Sequence, residues 1–251
     1  MSPMQDRADA TAPTGPKDAD AAGAAELAKP RQRTRVVAVA GATGLVGREL
    51  LDGLLHDASV GAVHALVRRP LPHQHPKLAV HLVDFHDPKS VAAALPHTLD
   101  EAYLALGTTI AAAGSRTAFR AIDHDANLAV ARAAMSAGAR RIALVSALGA
   151  DARSRVFYNR VKGELEDALA ALRCDALVIA RPSLLVGDRP ALGQPERPGE
   201  RWGLRLSRAL GPLVPRGWRP IAAAAVARAL LVRLPTAQGV ERLSSGDMQP
   251  R

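Results

Sequence analysis

The chain has 251 residues and a formal net charge of +9, from 33 basic and 24 acidic side chains. Its 48% of hydrophobic residues can build one sizeable core, which excludes a wholly disordered protein and a small disulfide-stapled fold. A single cysteine allows no internal disulfide, and no apolar run reaches the roughly 18 residues that a membrane-spanning helix needs.

The first 34 residues differ in composition from the rest of the chain. They are rich in Ala, Pro and Asp and contain no aromatic residue, so they cannot bury enough apolar surface to offset the entropy of ordering. We expect residues 1–34 to be a disordered tail and residues 35–251 to form one domain. The acidic residues of the tail argue against a mitochondrial transit peptide, and no secretory signal is recognisable, so we expect a cytoplasmic protein.

Short apolar segments alternate with helical patterns from residue 35 onward. These segments are continuously apolar, as in strands that are buried on both faces. Six strands are predicted, at residues 35–40, 62–67, 78–83, 102–106, 142–146 and 176–180. Helices are predicted at residues 45–56, 89–95, 117–137 and 156–172. Repeated strand–helix–strand units with right-handed crossovers give an α/β fold with a doubly wound parallel sheet.

Three glycines, Gly41, Gly44 and Gly47, lie in the turn between the first predicted strand and the first predicted helix. Glycines in this turn let the backbone approach a pyrophosphate, and the helix N-terminus offers its free N–H groups to phosphate oxygens. The position of the glycines directly after the first strand predicts a dinucleotide site. The alternative is a tight turn with no ligand.

Two arginines, Arg68 and Arg69, follow the second predicted strand. A site that prefers NAD would carry an Asp or Glu near this position to bind the ribose 2′-hydroxyl. Guanidinium groups instead pair with a 2′-phosphate, so we expect NADP(H) to be preferred over NAD(H). The alternative is that both arginines are simply solvated at the end of a strand.

A candidate catalytic set is formed by Ser146, at the end of the fifth predicted strand, and by Tyr158 and Lys162 twelve and sixteen residues later. Tyr158 and Lys162 are four residues apart, so they share one face of a helix. A neighbouring ammonium favours the phenolate and makes a tyrosine usable as a proton donor and acceptor near neutral pH. Ser146 is expected to hydrogen-bond the substrate oxygen.

The sequence resembles the short-chain dehydrogenase/reductase superfamily, and within it atypical members similar to the Tat-interactive-protein-like oxidoreductases. The resemblance covers the chain from about residue 35 to its end. It is carried by Gly41–Gly47, Leu104–Thr109, Phe119–Asp123, Leu144–Gly149, Phe157–Glu164 and Arg181–Gly187. It implies a Rossmann fold with a small C-terminal substrate cap at about residues 184–220.

The resemblance also implies which residues bind the cofactor. The pyrophosphate would contact Gly41, Thr43, Gly44, Leu45 and Val46, and the 2′-phosphate would contact Arg68 and Arg69. The adenine would lie against Asp84 and Phe85. The nicotinamide ribose would contact Leu106, Gly107, Tyr158 and Lys162, and the nicotinamide would lie against Pro182 and Ser183.

The sequence departs from classical members of the superfamily at three points. The motif Asn-Asn-Ala-Gly after the fourth strand of those members is replaced by Leu106-Gly107-Thr108-Thr109. The loop reads Gly-x-x-Gly-x-x-Gly, and the helical Asn of the classical proton relay has no clear counterpart, although Asp123 and Asn127 lie near its place. Three functions stay open at this point. The first is an NADP(H)-dependent oxidoreductase acting on a small carbonyl or alcohol. The second is a cofactor-binding regulator or scaffold with little or no turnover, and the third is a sugar-nucleotide epimerase.

The composition limits the classes of molecule that the protein is expected to bind. Residues 181–251 carry twelve arginines, no lysine and five acidic residues, which suits an acidic small-molecule substrate under the cap. Only 3% of residues are aromatic, so we expect no nucleic-acid partner. His73 and His75 have no nearby Cys or carboxylate partner, so we expect no metal. Homodimers are common in the superfamily, but no interface can be identified in the sequence.

Overall fold

The structure is a computed structural model that describes residues 33–72, 74–186 and 215–249. The expected disorder of residues 1–34 falls almost wholly outside the described residues. So does most of the expected cap at residues 184–220, and so do six of the twelve arginines proposed for an acidic substrate. These three expectations therefore stay predictions.

Seven parallel strands form one sheet. They are β1 (Arg35–Ala40), β2 (Val60–Val67), β3 (Leu78–Leu82), β4 (Glu101–Leu104), β5 (Arg141–Val145), β6 (Ala176–Arg181) and β9 (Gly239–Ser244). Their order in the sheet is β3-β2-β1-β4-β5-β6-β9. Two further short strands, β7 (Leu185–Val186) and β8 (Ile221–Ala222), pair with each other. The strand order reverses direction between β1 and β4, and it confirms the predicted doubly wound α/β fold.

Helices cover both faces of the sheet. They are α1 (Leu45–His56), α2 (Pro88–Ala93), α3 (Ile110–Ala113), α4 (Arg116–Arg120), α5 (Asn127–Ser136), α6 (Phe157–Ala170) and α7 (Ala223–Arg233). A π-helical segment, Ala121–Ala126, joins α4 to α5. The predicted helix at residues 117–137 is therefore a continuous helical stretch with a widened turn in its middle.

The core is split between the two faces of the sheet because successive strand residues point to opposite sides. In β6, Val178 belongs to the cluster that α1 and α7 cover. Its neighbour Ile179 belongs to the cluster on the other face, which includes Leu165 of α6 and Val130 of α5. Burial on both faces explains why these strands are continuously apolar in sequence.

One strand of the sheet, β9, was not predicted. It reads Gly-Val-Glu-Arg-Leu-Ser, it pairs only with β6 at the edge of the sheet, and none of its residues is fully buried. Charged and polar side chains are usual on an edge strand, so no apolar run marks it in the sequence.

Among the described residues, no helix is both long and apolar enough to span a membrane.

Candidate active site

All the predicted site residues except Leu45, Val46, Tyr158 and Lys162 lie in loops at, or directly after, the carboxyl ends of parallel strands. Because the strands are parallel, these loops meet along one edge of the sheet, where ligands bind in doubly wound folds. A cleft opens between the loops that follow β1 and β4. Its two halves share the lining residues Gly44, Ala105, Leu106 and Gly107, so they adjoin at the point where the strand order reverses.

The glycine loop after β1 lies in close contact with the backbone of Ala105, and helix α1 lies in close contact with the loop. Gly41 has a φ of +89°, and a Cβ there would lie 2.5 Å from the carbonyl carbon and oxygen of Ala105. A Cβ at Gly47 would lie 2.0 Å from the carbonyl oxygen of Gly41. Only glycine fits at these two positions, and together they bring α1 close to the loop.

Helix α1 begins at this loop without a side-chain cap. Gly44 is its N-cap residue, and the Gly44 N–H donates to the Gly41 carbonyl oxygen at 2.9 Å. A glycine offers no side-chain oxygen to the first turn, so the N–H groups of that turn are open toward the cleft. Thr43 and Gly44 line one half of the cleft, and Leu45 and Val46 line the other. This arrangement fits a pyrophosphate.

The half of the cleft beside β2 and β3 contains the residues expected around adenosine. Arg68, Arg69, Asp84 and Phe85 all line it. Both arginines are exposed, and neither makes a hydrogen bond or ion pair with any described residue. Phe85 is buried, and Oδ1 of Asp84 accepts from the N–H of His86 at 2.9 Å. The two guanidinium groups are therefore available to an anion.

The other half of the cleft contains the candidate catalytic set. Ser146, Tyr158 and Lys162 line it together with Leu106 and Gly107. Tyr158 and Lys162 lie one turn apart on α6, as their spacing predicts. The Tyr158 ring packs against the buried Phe119, with ring centroids 5.4 Å apart, and its hydroxyl makes no hydrogen bond with the described residues.

Lys162 forms a buried ion pair that the sequence did not predict. Its Nζ lies 2.7 Å from Oδ1 of Asp123, and the two side chains are 4% and 0% exposed. Asp123 lies in the π-helical segment, and its Oδ2 accepts from the N–H of Thr108 at 2.8 Å. Burial alone would lower the pKa of Lys162, but the Asp123 carboxylate outweighs it, so the pKa lies above its usual value and the ammonium stays charged.

Ser146 also has an acidic partner. Its Oγ lies 2.6 Å from Oε1 of Glu166, which is 1% exposed. Arg181 binds the Glu166 carboxylate through two nitrogens, and Nε of Arg242 lies 3.4 Å from Oε2. Hydrogen bonding to Glu166 raises the pKa of Arg181. Glu166 lies one turn beyond Lys162 on the same face of α6, a spacing from which it could have been found.

Asn127 lies behind the loop that follows β4. It is fully buried, and its Nδ2 donates to the carbonyl oxygens of Leu106 and Asp123 at 3.1 Å each. Its Oδ1 has no partner among the described residues. Asn127 and Asp123 thus support the Leu106–Thr108 loop from beneath, and Asp123 rather than an asparagine contacts the lysine.

Two predicted residues lie beside the cleft rather than in its wall. The Pro182 carbonyl oxygen accepts from the N–H of Leu148 at 2.8 Å. The Ser183 hydroxyl donates to the Arg219 carbonyl oxygen and lies 2.9 Å from Oγ of Ser245. Neither residue lines the cleft, whereas Leu185, just beyond them, does.

Of the two histidines considered for a metal, His73 is outside the described residues, and the described part of the chain contains no cluster of three or more metal-ligating side chains.

Comparison with known proteins identifies the family. A profile described as NAD(P)H-binding matches residues 41–185, the stretch that contains the glycine loop and the candidate catalytic set. The chain belongs to this NAD(P)H-binding family. The profile confirms the NAD(P)-binding domain that the resemblance to the short-chain dehydrogenase/reductase superfamily implies.

One relative and two solved structures illustrate the likeness. Protein FMP52, mitochondrial, of Eremothecium gossypii is 38% identical over 181 residues, which cover 71% of this chain and 76% of that protein. A short-chain dehydrogenase of Burkholderia cenocepacia in complex with NADP superposes with a TM-score of 0.60 at 18% identity, covering 85% of this chain and 90% of that one. A short-chain dehydrogenase/reductase superfamily protein of Agrobacterium tumefaciens with bound NAD has a TM-score of 0.63 at 16% identity, covering 84% and 77%. At these identities the two structures show the shared fold.

The expected cytoplasmic location is wrong. The relatives with the name Protein FMP52 are named as mitochondrial proteins, in Eremothecium gossypii and in other fungi. The cytoplasmic expectation came mainly from the acidic residues of the first 34 positions, and the composition of a short terminal segment is a weak guide to location.

Proposed function

We propose that the protein is an NADP(H)-dependent oxidoreductase that transfers hydride between nicotinamide and a small carbonyl or alcohol substrate. The observation that carries this proposal is that the two halves of the cleft adjoin. The glycine loop that suits a pyrophosphate and the set of Ser146, Tyr158 and Lys162 line the same cleft, with Leu106 and Gly107 between them. A dinucleotide extended along this cleft has its reactive end beside Tyr158.

The preference for NADP(H) is supported by the charges at the end of β2. Arg68 and Arg69 are exposed, have no partner among the residues that the structure describes, and line the adenosine half of the cleft. The two residues bring two guanidinium groups to the position where a carboxylate would select NAD. Asp84, the acidic residue of this half, holds the His86 N–H with one of its oxygens.

The bound cofactor would supply or accept the hydride. Tyr158 would transfer the proton at the substrate oxygen, because its hydroxyl lines the cleft and has no partner among the described residues. Lys162 would bind the nicotinamide ribose with an ammonium that Asp123 keeps charged and in place. Ser146 would contact the substrate oxygen, and Leu45, Val46, Val145 and Leu185 would exclude water from that half of the cleft.

A cofactor-binding regulator without turnover is the second candidate. Two observations favour it, and both concern the polar residues that line the cleft with Tyr158. Lys162 is ion-paired with Asp123, and the Ser146 hydroxyl donates to Glu166. A site whose polar groups are tied to buried carboxylates can bind a dinucleotide without offering its full set of donors to a substrate.

The two candidates are separated by an activity assay. NADPH oxidation is followed with a panel of aldehydes and ketones, and NADP⁺ reduction with the matching alcohols. Tyr158→Phe is expected to abolish turnover while NADPH binding persists. Tyr103→Phe is the matched control, because Tyr103 is buried away from the cleft and its hydroxyl donates to Glu101. Turnover that survives Tyr158→Phe would contradict the proposed mechanism, and binding without turnover on any member of the panel would favour the regulator.

A further inference from the structure

The buried ion pair of Asp123 and Lys162 forms the floor of the cleft beneath Gly107. A Cβ at Gly107 would lie 3.5 Å from Oδ1 of Asp123 and 3.9 Å from Nζ of Lys162. All three residues line the same half of the cleft. No side chain at position 107 separates the two charges from a ligand in the cleft, so a charge on that ligand interacts with both.

The Asp123 carboxylate is fixed in this place. One of its oxygens receives the Lys162 ammonium at 2.7 Å, and the other accepts the Thr108 N–H at 2.8 Å. Because one oxygen is ion-paired and the other accepts a hydrogen bond, an amide at this position could serve only one of the two partners. The other carboxylate near Lys162 belongs to Glu166, and its charge is balanced by Arg181 and Arg242. Asp123 is therefore the group that neutralises Lys162.

We infer that Asp123 sets the relative affinity of the cleft for the oxidised and reduced forms of the cofactor. This inference rests on the proposed function, since it requires the nicotinamide to lie in the half of the cleft that contains Lys162. Oxidised nicotinamide carries a positive charge that the reduced form lacks. An isolated ammonium beneath it would repel the oxidised form, whereas a neutral ion pair does not. Asp123 is in this respect a positioning and charge-balancing residue, and it acts on the cofactor through Lys162.

The test is the ratio of two dissociation constants, for NADP⁺ and for NADPH, measured by calorimetry on the full chain. Asp123→Asn removes the carboxylate that keeps Lys162 charged, so the titrations are made at mildly acidic pH, which favours the ammonium. The unbalanced ammonium then weakens the binding of NADP⁺ relative to NADPH on the order of tenfold. Asp125→Asn is the matched control, because it makes the same change two residues away on a side chain that is 59% exposed. The control leaves the ratio unchanged. A ratio is informative because damage to the shape of the loop weakens both forms together.

A second variant changes the ratio in the opposite direction. Lys162→Met leaves the Asp123 carboxylate without its cation, so NADP⁺ gains affinity relative to NADPH. If Asp123→Asn does not fold, the ratio measured for Lys162→Met still tests the inference. An unchanged ratio in either folded variant would overturn the inference and leave Asp123 a structural support of the Leu106–Thr108 loop. If the wild-type chain bound neither form, the proposed function would itself be wrong, and the inference with it.

Discussion

Ser146 and Glu166 form a hydrogen bond of 2.6 Å that determines which way the serine hydroxyl points. Glu166 is ion-paired with Arg181, so its carboxylate is an acceptor and the Ser146 hydroxyl must be the donor. For Ser146 to donate to a substrate carbonyl instead, it would have to give up a charge-assisted bond worth about 1.5–3 kcal/mol. The serine thus presents its lone pairs to the cleft, and these suit a substrate hydroxyl that donates.

The first prediction concerns the contribution of Glu166 to stability. Glu166→Gln removes the charge that binds Arg181 and Arg242, and we expect it to lower the free energy of unfolding by about 1–3 kcal/mol. The loss is below that of a fully buried pair because the two arginine side chains are 31% and 42% exposed. Urea unfolding measures it.

Glu164→Gln is the control for this prediction. Glu164 lies on the same helix and pairs with Arg120 and Arg160, but all three side chains are partly exposed. The control should change the free energy of unfolding by less than about 1 kcal/mol. Equal losses in the two variants would show that the buried network around Glu166 adds no stability beyond that of a surface ion pair.

The second prediction separates backbone strain from close contact in the glycine loop. Gly41 and Gly114 both have positive φ values, +89° and +82°. A Cβ at Gly41 would meet the Ala105 backbone at 2.5 Å, whereas a Cβ at Gly114 would meet nothing within 4 Å. Gly114→Ala should therefore lower the free energy of unfolding by about 1–2 kcal/mol and leave NADPH binding intact.

Gly41→Ala should have a larger effect on both properties. The loop after β4 must move to admit the new methyl group, and that movement alters the wall of the cleft at Ala105. We expect a greater loss of stability than for Gly114→Ala and the loss of measurable NADPH binding in a calorimetric titration. If Gly41→Ala bound NADPH with wild-type affinity, the glycine loop would not be the part of the cleft that binds the cofactor.

The elements that could be predicted from the sequence are those whose local pattern matches their environment. The strands in the middle of the sheet are buried on both faces and therefore read as apolar runs. Strand β3, at one edge, also has an apolar sequence although none of its residues is fully buried. The four-residue spacing of Tyr158 and Lys162 places them correctly on one face of α6. The edge strand β9 has no such run. The pairing of Asp123 with Lys162 joins two helical elements far apart in the chain, so no local pattern reveals it. The π-helical turn that carries Asp123 lies within an ordinary helical pattern.

The third prediction is a pH dependence of stability that arises at the edge of the sheet. His64 of β2 and His81 of β3 stack with ring centroids 5.2 Å apart, and two of their ring nitrogens lie 3.0 Å apart. Burial, and for His64 also the proximity of His81, lowers the pKa of both below the usual value of 6.5. The folded state then binds fewer protons than the unfolded state, so stability falls as the pH is lowered through and below 6.5.

Replacing both histidines with glutamine should flatten this pH dependence, as measured by the urea midpoint across the acidic range. His56→Gln is the control, because His56 is an exposed residue on α1. The control should keep the slope of the wild type. A wild-type slope in the double variant would mean that other groups cause the loss of stability in acid.

The fourth prediction concerns the arginines after β2. If they bind the 2′-phosphate of NADPH, replacing both Arg68 and Arg69 with alanine removes two charge-assisted contacts. We expect the affinity for NADPH to fall roughly 10- to 100-fold and the affinity for NADH to change little. Arg132→Ala, an exposed position on α5 with no partner among the described residues, is the control and should leave both affinities unchanged.

The most direct measurement is a calorimetric titration of the wild-type chain with NADPH and with NADH. A cleft that combines an open helix N-terminus, a glycine loop and two exposed arginines should bind NADPH, and should bind it more tightly than NADH. Equal affinities would contradict the role of Arg68 and Arg69. The absence of binding by either dinucleotide would contradict the central claim that this cleft is a cofactor site.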